Sequence, residues 1–81
     1  MMTAEGRTPV EVEAALVSKR DRRDGTWTWR GRVVPIKGTS LLAFLRADDI
    51  LLHVEGRPNP CIITTLGEAN SEVEGLGPPT F

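Results

Sequence analysis

Eighty-one residues, ten of them basic and eleven acidic for a net charge of −1, make one small domain. Its core must hold without staples, because a single cysteine cannot form an internal disulfide. No run of about 18 apolar residues exists to span a membrane, and the start MMTAEGRTP lacks the basic-then-apolar order of a signal peptide. The expected compartment is the cytoplasm.

Residues 1–8 are small, polar and unpatterned, and read as a flexible arm. From Pro9 to Val17 the chain alternates, with Val10, Val12, Ala14 and Leu16 on one face and Glu11, Glu13, Ala15 and Val17 on the other. That period of two predicts a strand. Residues 18–25 form a charged tip closing on Asp24-Gly25, a turn signal. Thr26 to Val34 alternates again: Trp27, Trp29, Gly31 and Val33 share one face, Thr26, Thr28, Arg30 and Arg32 the other. Pairing Val10 with Val33, Val12 with Gly31, Ala14 with Trp29 and Leu16 with Trp27 sets Glu11 against Arg32 and Glu13 against Arg30. Cross-strand pairs of these types are worth roughly 0.2–1 kcal/mol each. The tryptophans are then expected to face the core.

Pro35 ends the second strand by removing a ladder donor. Gly38-Thr39-Ser40 supplies a hydroxyl N-cap, and Leu41, Leu42, Phe44 and Leu45 fit a two-turn helix stopping near Ala47, before Asp48 and Asp49. Ile50, Leu52 and Val54 alternate with Leu51, His53 and Glu55 in a third strand. Gly56 to Pro60 reads as a turn, and residues 61–66 as a fourth strand pairing Ile50 with Leu66, Leu52 with Thr64 and Val54 with Ile62. From Gly67 the sequence GEANSEVEGLGPPTF loses periodicity and reads as an acidic, disordered tail.

The expected fold is therefore α+β, mostly β: two β-hairpins joined by one short helix, in a small sheet or partly open barrel. Residues 9–66 form the domain, between the arm and the tail.

Catalytic chemistry has little to work with. His53, the only histidine, reads outward beside Glu55, and nothing about Ser18, Ser40 or Ser71 suggests activation as a nucleophile. Cys61 reads as a small core or edge residue. One Cys and one His make no usual zinc site, Asp48-Asp49 has no calcium-loop spacing around it, and the glycines are scattered at turns. Neither an enzyme nor a cofactor is expected.

Charge carries more information. From Lys19 to Arg46, eight basic residues (Lys19, Arg20, Arg22, Arg23, Arg30, Arg32, Lys37 and Arg46) meet only Asp21 and Asp24. Beyond Arg46, Arg57 stands alone against six acidic residues. Such asymmetry points the first half at a polyanion or an acidic partner.

The segment RGRVVPIKGTSLLAFLRADDILLHVEG, residues 30–56, resembles the swapped-hairpin AbrB-like family of bacterial transcription factors and antitoxins. That family runs R-G-R, an apolar strand with a proline, a short helix, then a strand-turn-strand. The resemblance implies an intertwined homodimer contacting DNA through basic strands and loops, with Arg30, Arg32 and Lys37 at matching positions.

Two function classes follow. The first is a non-enzymatic domain acting through a protein partner, by an exposed sheet edge or by Val73, Leu76 and Phe81 of the tail, spaced like motif anchors. The alternative is a DNA-binding regulator or antitoxin, using Lys19, Arg20, Arg22, Arg23, Arg30, Arg32 and Lys37 on phosphates.

Overall fold

The computed structural model describes residues 1–36, 40–44, 46–67 and 70–81. Its strands are β1 (Met2–Thr3), β2 (Val12–Arg20), β3 (Trp27–Pro35), β4 (Leu51–Val54), β5 (Arg57–Leu66) and β6 (Ser71–Gly75). They form one antiparallel sheet in the order β1-β4-β5-β6-β3-β2, curled into a half-barrel. Its two edges meet at one point. Met2, paired with Leu52 on one side, exchanges backbone bonds of 2.8 and 3.0 Å with Val10 just ahead of β2.

The first hairpin keeps its expected faces and changes its register. Val12 pairs with Pro35, Leu16 with Gly31, Ser18 with Trp29 and Arg20 with Trp27. This slides β2 four residues along β3 relative to the sequence-based pairing. An even slip preserves which side chains share a face, so Val33 and Trp29 are buried as expected, while Trp27, beyond the core, is half-exposed. The turn chemistry explains the shift. Asp21 O accepts the Gly25 N–H at 2.9 Å, Thr26 O accepts the Asp21 N–H at 2.8 Å, and Gly25 takes φ 74°. The loop is tight enough to return Lys19 and Arg20 to the strand. Glu11 and Glu13 consequently do not oppose Arg32 and Arg30; Ala15 and Val17 do.

The second hairpin is also shorter at its turn than expected. Glu55 (φ 51°) and Gly56 (φ 78°) are both left-handed, forming a two-residue connection that pairs Val54 with Arg57 and Leu52 with Asn59. Pro58 and Pro60 thus lie inside β5 rather than in a turn. Both sit opposite β4 at positions whose N–H would point away from it, so neither costs a β4 ladder bond.

The helix between the hairpins is a correction: the described residues contain no α-helix, and the fold is nearly all β rather than α+β. Only a 3-10 turn, Leu42–Phe44, forms there. Ser40 Oγ does accept the Leu42 N–H at 3.1 Å as a cap would. Arg46 (φ 59°) and Asp49 (φ 55°) then turn left-handed, ending the run before helix propagation can repay its nucleation. Leu41 and Phe44 are buried in the core cluster instead. The expected cap residues Gly38 and Thr39, with Lys37 and Leu45, lie outside the described residues.

Both ends of the chain take part in the sheet. Met2 is fully buried, although its segment lacks periodicity. β6 comes from the stretch expected to be disordered and lies between β3 and β5. Its Val73 packs in the core opposite Gly31 and Ile63. No helix among the described residues is long and apolar enough to cross a membrane.

Candidate interaction surface

In an antiparallel ladder, successive residues direct their N–H and C=O alternately to the two sides. Glu11 O bonds to Ile36 N (3.0 Å) and Asp21 N to Thr26 O, so odd-numbered residues of β2 face β3. Val12, Ala14, Leu16, Ser18 and Arg20 therefore direct their backbone groups outward, where no strand pairs with them among the described residues. This free edge runs the whole nine-residue strand. It carries no proline and no bulge, and its stretch from Ala14 to Ser18 has no charge. Natural edges usually carry such blocks. Val17, on the outer face, is 59% exposed.

The basic residues divide into two groups. Lys19, Arg20, Arg22 and Arg23 are all exposed at the hairpin end. Asp21 Oδ1 accepts the Arg23 N–H at 2.8 Å, and Asp24 Oδ1 accepts the Thr26 N–H at 2.9 Å and its hydroxyl at 2.7 Å. The Thr26 backbone N–H, then its hydroxyl, hold the Asp24 carboxyl below its ordinary pKa. Both tip carboxylates are thus committed to shaping the turn. Arg30 and Arg32 point from the outer face farther down, directly opposite Glu74 and Glu72 of β6. The acidic tail and the basic hairpin are therefore neighbouring strands of one sheet, with opposite charges at facing positions.

The residues expected as tail anchors are also dispersed. Val73 is core; Leu76 is exposed, its N–H donated to Pro60 O at 3.0 Å; Phe81 meets Trp29 edge-to-face at a centroid distance of 5.5 Å. The last residues are held by Asn59, which sequence reasoning placed in a turn. Asn59 is fully buried; its Oδ1 accepts the Thr80 N–H at 2.8 Å and hydroxyl at 3.1 Å. Its Nδ2 donates to Leu52 O at 3.2 Å and Arg57 O at 3.1 Å. A polar residue flanked by prolines carries no pattern that announces burial.

Comparison with protein families, curated proteins and solved structures gives no match. The surface has to be read from its own chemistry.

A concave feature lies past Pro60, where β5 runs on without β4. A cleft of about 640 Å³ separates β5 from the segment leading into β4. Phe44, Ile50, Ile63 and Leu66 line it, together with the exposed Arg46, Asp48 and Asp49. Cys61 also lines it; burial pushes its thiol up to about 11, which keeps it protonated and a poor nucleophile at neutral pH. His53 is half-buried, with Nε2 2.8 Å from Thr3 Oγ1 on β1. No group of three or more metal-ligating side chains converges among the described residues.

Proposed function

We propose that this chain is a small, non-enzymatic, cytoplasmic binding module whose protein partner adds a strand to the free edge of β2. The observation that carries this reading is the row of outward backbone groups from Val12 to Arg20, open along the whole strand. Strand addition takes its affinity from main-chain bonds and its selectivity from alternate side chains. Here Ala15 and Val17 would supply an apolar outer pair, and Leu16 an inner contact continuous with the core. The single buried thiol suits a reducing compartment.

The test uses Ala14→Pro, which removes one outward N–H and an exposed methyl without touching the β2–β3 ladder. Extended peptides selected from a display library on the wild-type protein are expected to lose binding to this variant. They should keep it with Arg22→Ala/Arg23→Ala. Peptides that bind the proline variant equally well would refute edge addition.

A second reading, a DNA-binding regulator of the AbrB-like kind, is supported by the exposed tip carrying Lys19, Arg20, Arg22 and Arg23. The outer-face glutamates opposite Arg30 and Arg32 weigh against a wider basic surface. This reading expects quenching of the half-exposed Trp27 by duplex DNA, fading steeply with salt. Emission indifferent to DNA at low salt would dismiss it.

A further inference from the structure

We infer that the β2 edge is self-complementary and joins two copies of this chain as a two-fold dimer, β2 against β2 of the second copy. The inference rests on the edge reading above and assigns its partner. β2 spans Val12–Arg20 and is centred on Leu16. An antiparallel copy paired about that centre sets Leu16 against Leu16, Ala14 against Ser18 and Val12 against Arg20. These five are the residues whose N–H and C=O point outward, so every free backbone group of the strand gains a partner.

The same register matches the side chains of the outer face. Glu13 of each copy falls opposite Lys19 of the other, and Ala15 opposite Val17. Two opposite-charge pairs thus flank two small apolar pairs about the axis. The pattern Glu13-Ala15-Val17-Lys19 is its own complement when reversed.

Neighbouring registers fail on named residues. A shift of two in one direction loses both Glu13–Lys19 pairs, setting Lys19 against Ala15, and leaves the outward groups of Val12 facing Arg22 in the turn, outside the strand. A shift of two in the other sets Arg20 against Val10, whose N–H and C=O are already bound to Met2. The strand ends cleanly in the centred register, because the next pair outward, Glu11 with Asp21, is repulsive. Pairing of one patch with itself closes after two copies and leaves no edge for a filament.

The experiment is sedimentation equilibrium of the full chain over micromolar to millimolar concentration, with circular dichroism to verify folding. Wild type is expected to dimerise. Glu13→Lys and Lys19→Glu, both at exposed positions, are each expected to weaken the dimer by roughly tenfold or more, two pairs being lost per dimer. The double variant Glu13→Lys/Lys19→Glu restores both pairs with their signs exchanged and should recover the wild-type constant. Hydrogen exchange at the Ala14, Leu16 and Ser18 amides should slow as concentration rises.

A monomer through the millimolar range, or a dimer in which both single variants match wild type, overturns the inference. If the protein is monomeric and those amides exchange freely, the dimer fails but strand addition by another partner survives. If the protein is monomeric and those amides are nevertheless protected at every concentration, the edge is not free, and both readings fail.

Discussion

Asn59 gives the most direct test of how the C-terminal residues are held. Replacing it with alanine removes two donated and two accepted hydrogen bonds, each worth about 0.5–1.5 kcal/mol net. It also leaves the Thr80 N–H without its acceptor, although Leu52 keeps residue 59 as its ladder partner. The expected loss is about 3–5 kcal/mol. For a chain of 81 residues, total stability is about 4–12 kcal/mol, so this is a large fraction of it. At about 4–8 °C per kcal/mol, the melting temperature should fall by at least ~12 °C. Asn59→Asp sharpens the argument. Its carboxylate can still accept from Thr80, but it turns an acceptor toward Leu52 O and Arg57 O, and burial raises its pKa in the fold. A folded pKa above the unfolded value means that the folded state binds the extra proton. The aspartate variant should therefore be badly destabilised at pH 7 and recover toward wild type as pH falls through the raised pKa. Thermal melts of wild type and both variants at pH 7 and near pH 4.5 decide it. An alanine variant within about 0.5 kcal/mol of wild type, or an aspartate deficit that ignores pH, would refute the account.

Three further outcomes follow from the same structure. A chain ending at Gly67 lacks β6, which joins β3 to β5, and should lose cooperative unfolding by circular dichroism; retention of a sharp transition would show that the hairpins hold without it. Gly75→Ala drives a Cβ against the Trp29 indole, closest to its nitrogen, and should cost about 1–3 kcal/mol with a visible change in tryptophan emission; unchanged emission and stability would mean that the ring does not lie there. Burial makes Cys61 hold its proton to about 11 in the fold, against an ordinary value of 9.0, so its contribution is complete below 9 and lost as pH rises toward 11. Denaturant midpoints of wild type should therefore fall over that window more than those of Cys61→Ala, and equal slopes would count against a buried thiol.

What could be read from the sequence was mostly a matter of period. Alternation in residues 9–17 and 26–34 located β2 and β3 and assigned their faces, because the two-residue repeat survives an even slip in register. The register itself depended on a turn built from Asp21, Asp24 and Gly25, whose bonds composition does not reveal. Apolar density at Leu41, Leu42 and Phe44 has the same appearance in a helix and in a buried 3-10 turn; left-handed Arg46 decides between them. β6 was hidden because Gly, Pro and Glu dominate its surroundings. Its burial comes from two neighbouring strands, one of them supplying the opposite charges. Basic residues announce themselves by type, whereas the free backbone edge of β2 belongs to topology and has no residue type to mark it.

The place of β6 in the sheet has a consequence for synthesis. Both hairpins, β2–β3 and β4–β5, are local in sequence and can close while the chain is still emerging. The strand that separates and joins them emerges after both. Until it arrives, β3 and β5 each present an open, apolar-flanked edge, and the nascent protein is most prone to pair with the wrong neighbour. Glutamates at 72 and 74, matched to Arg32 and Arg30, then favour this strand over any uncharged competitor for the slot beside β3.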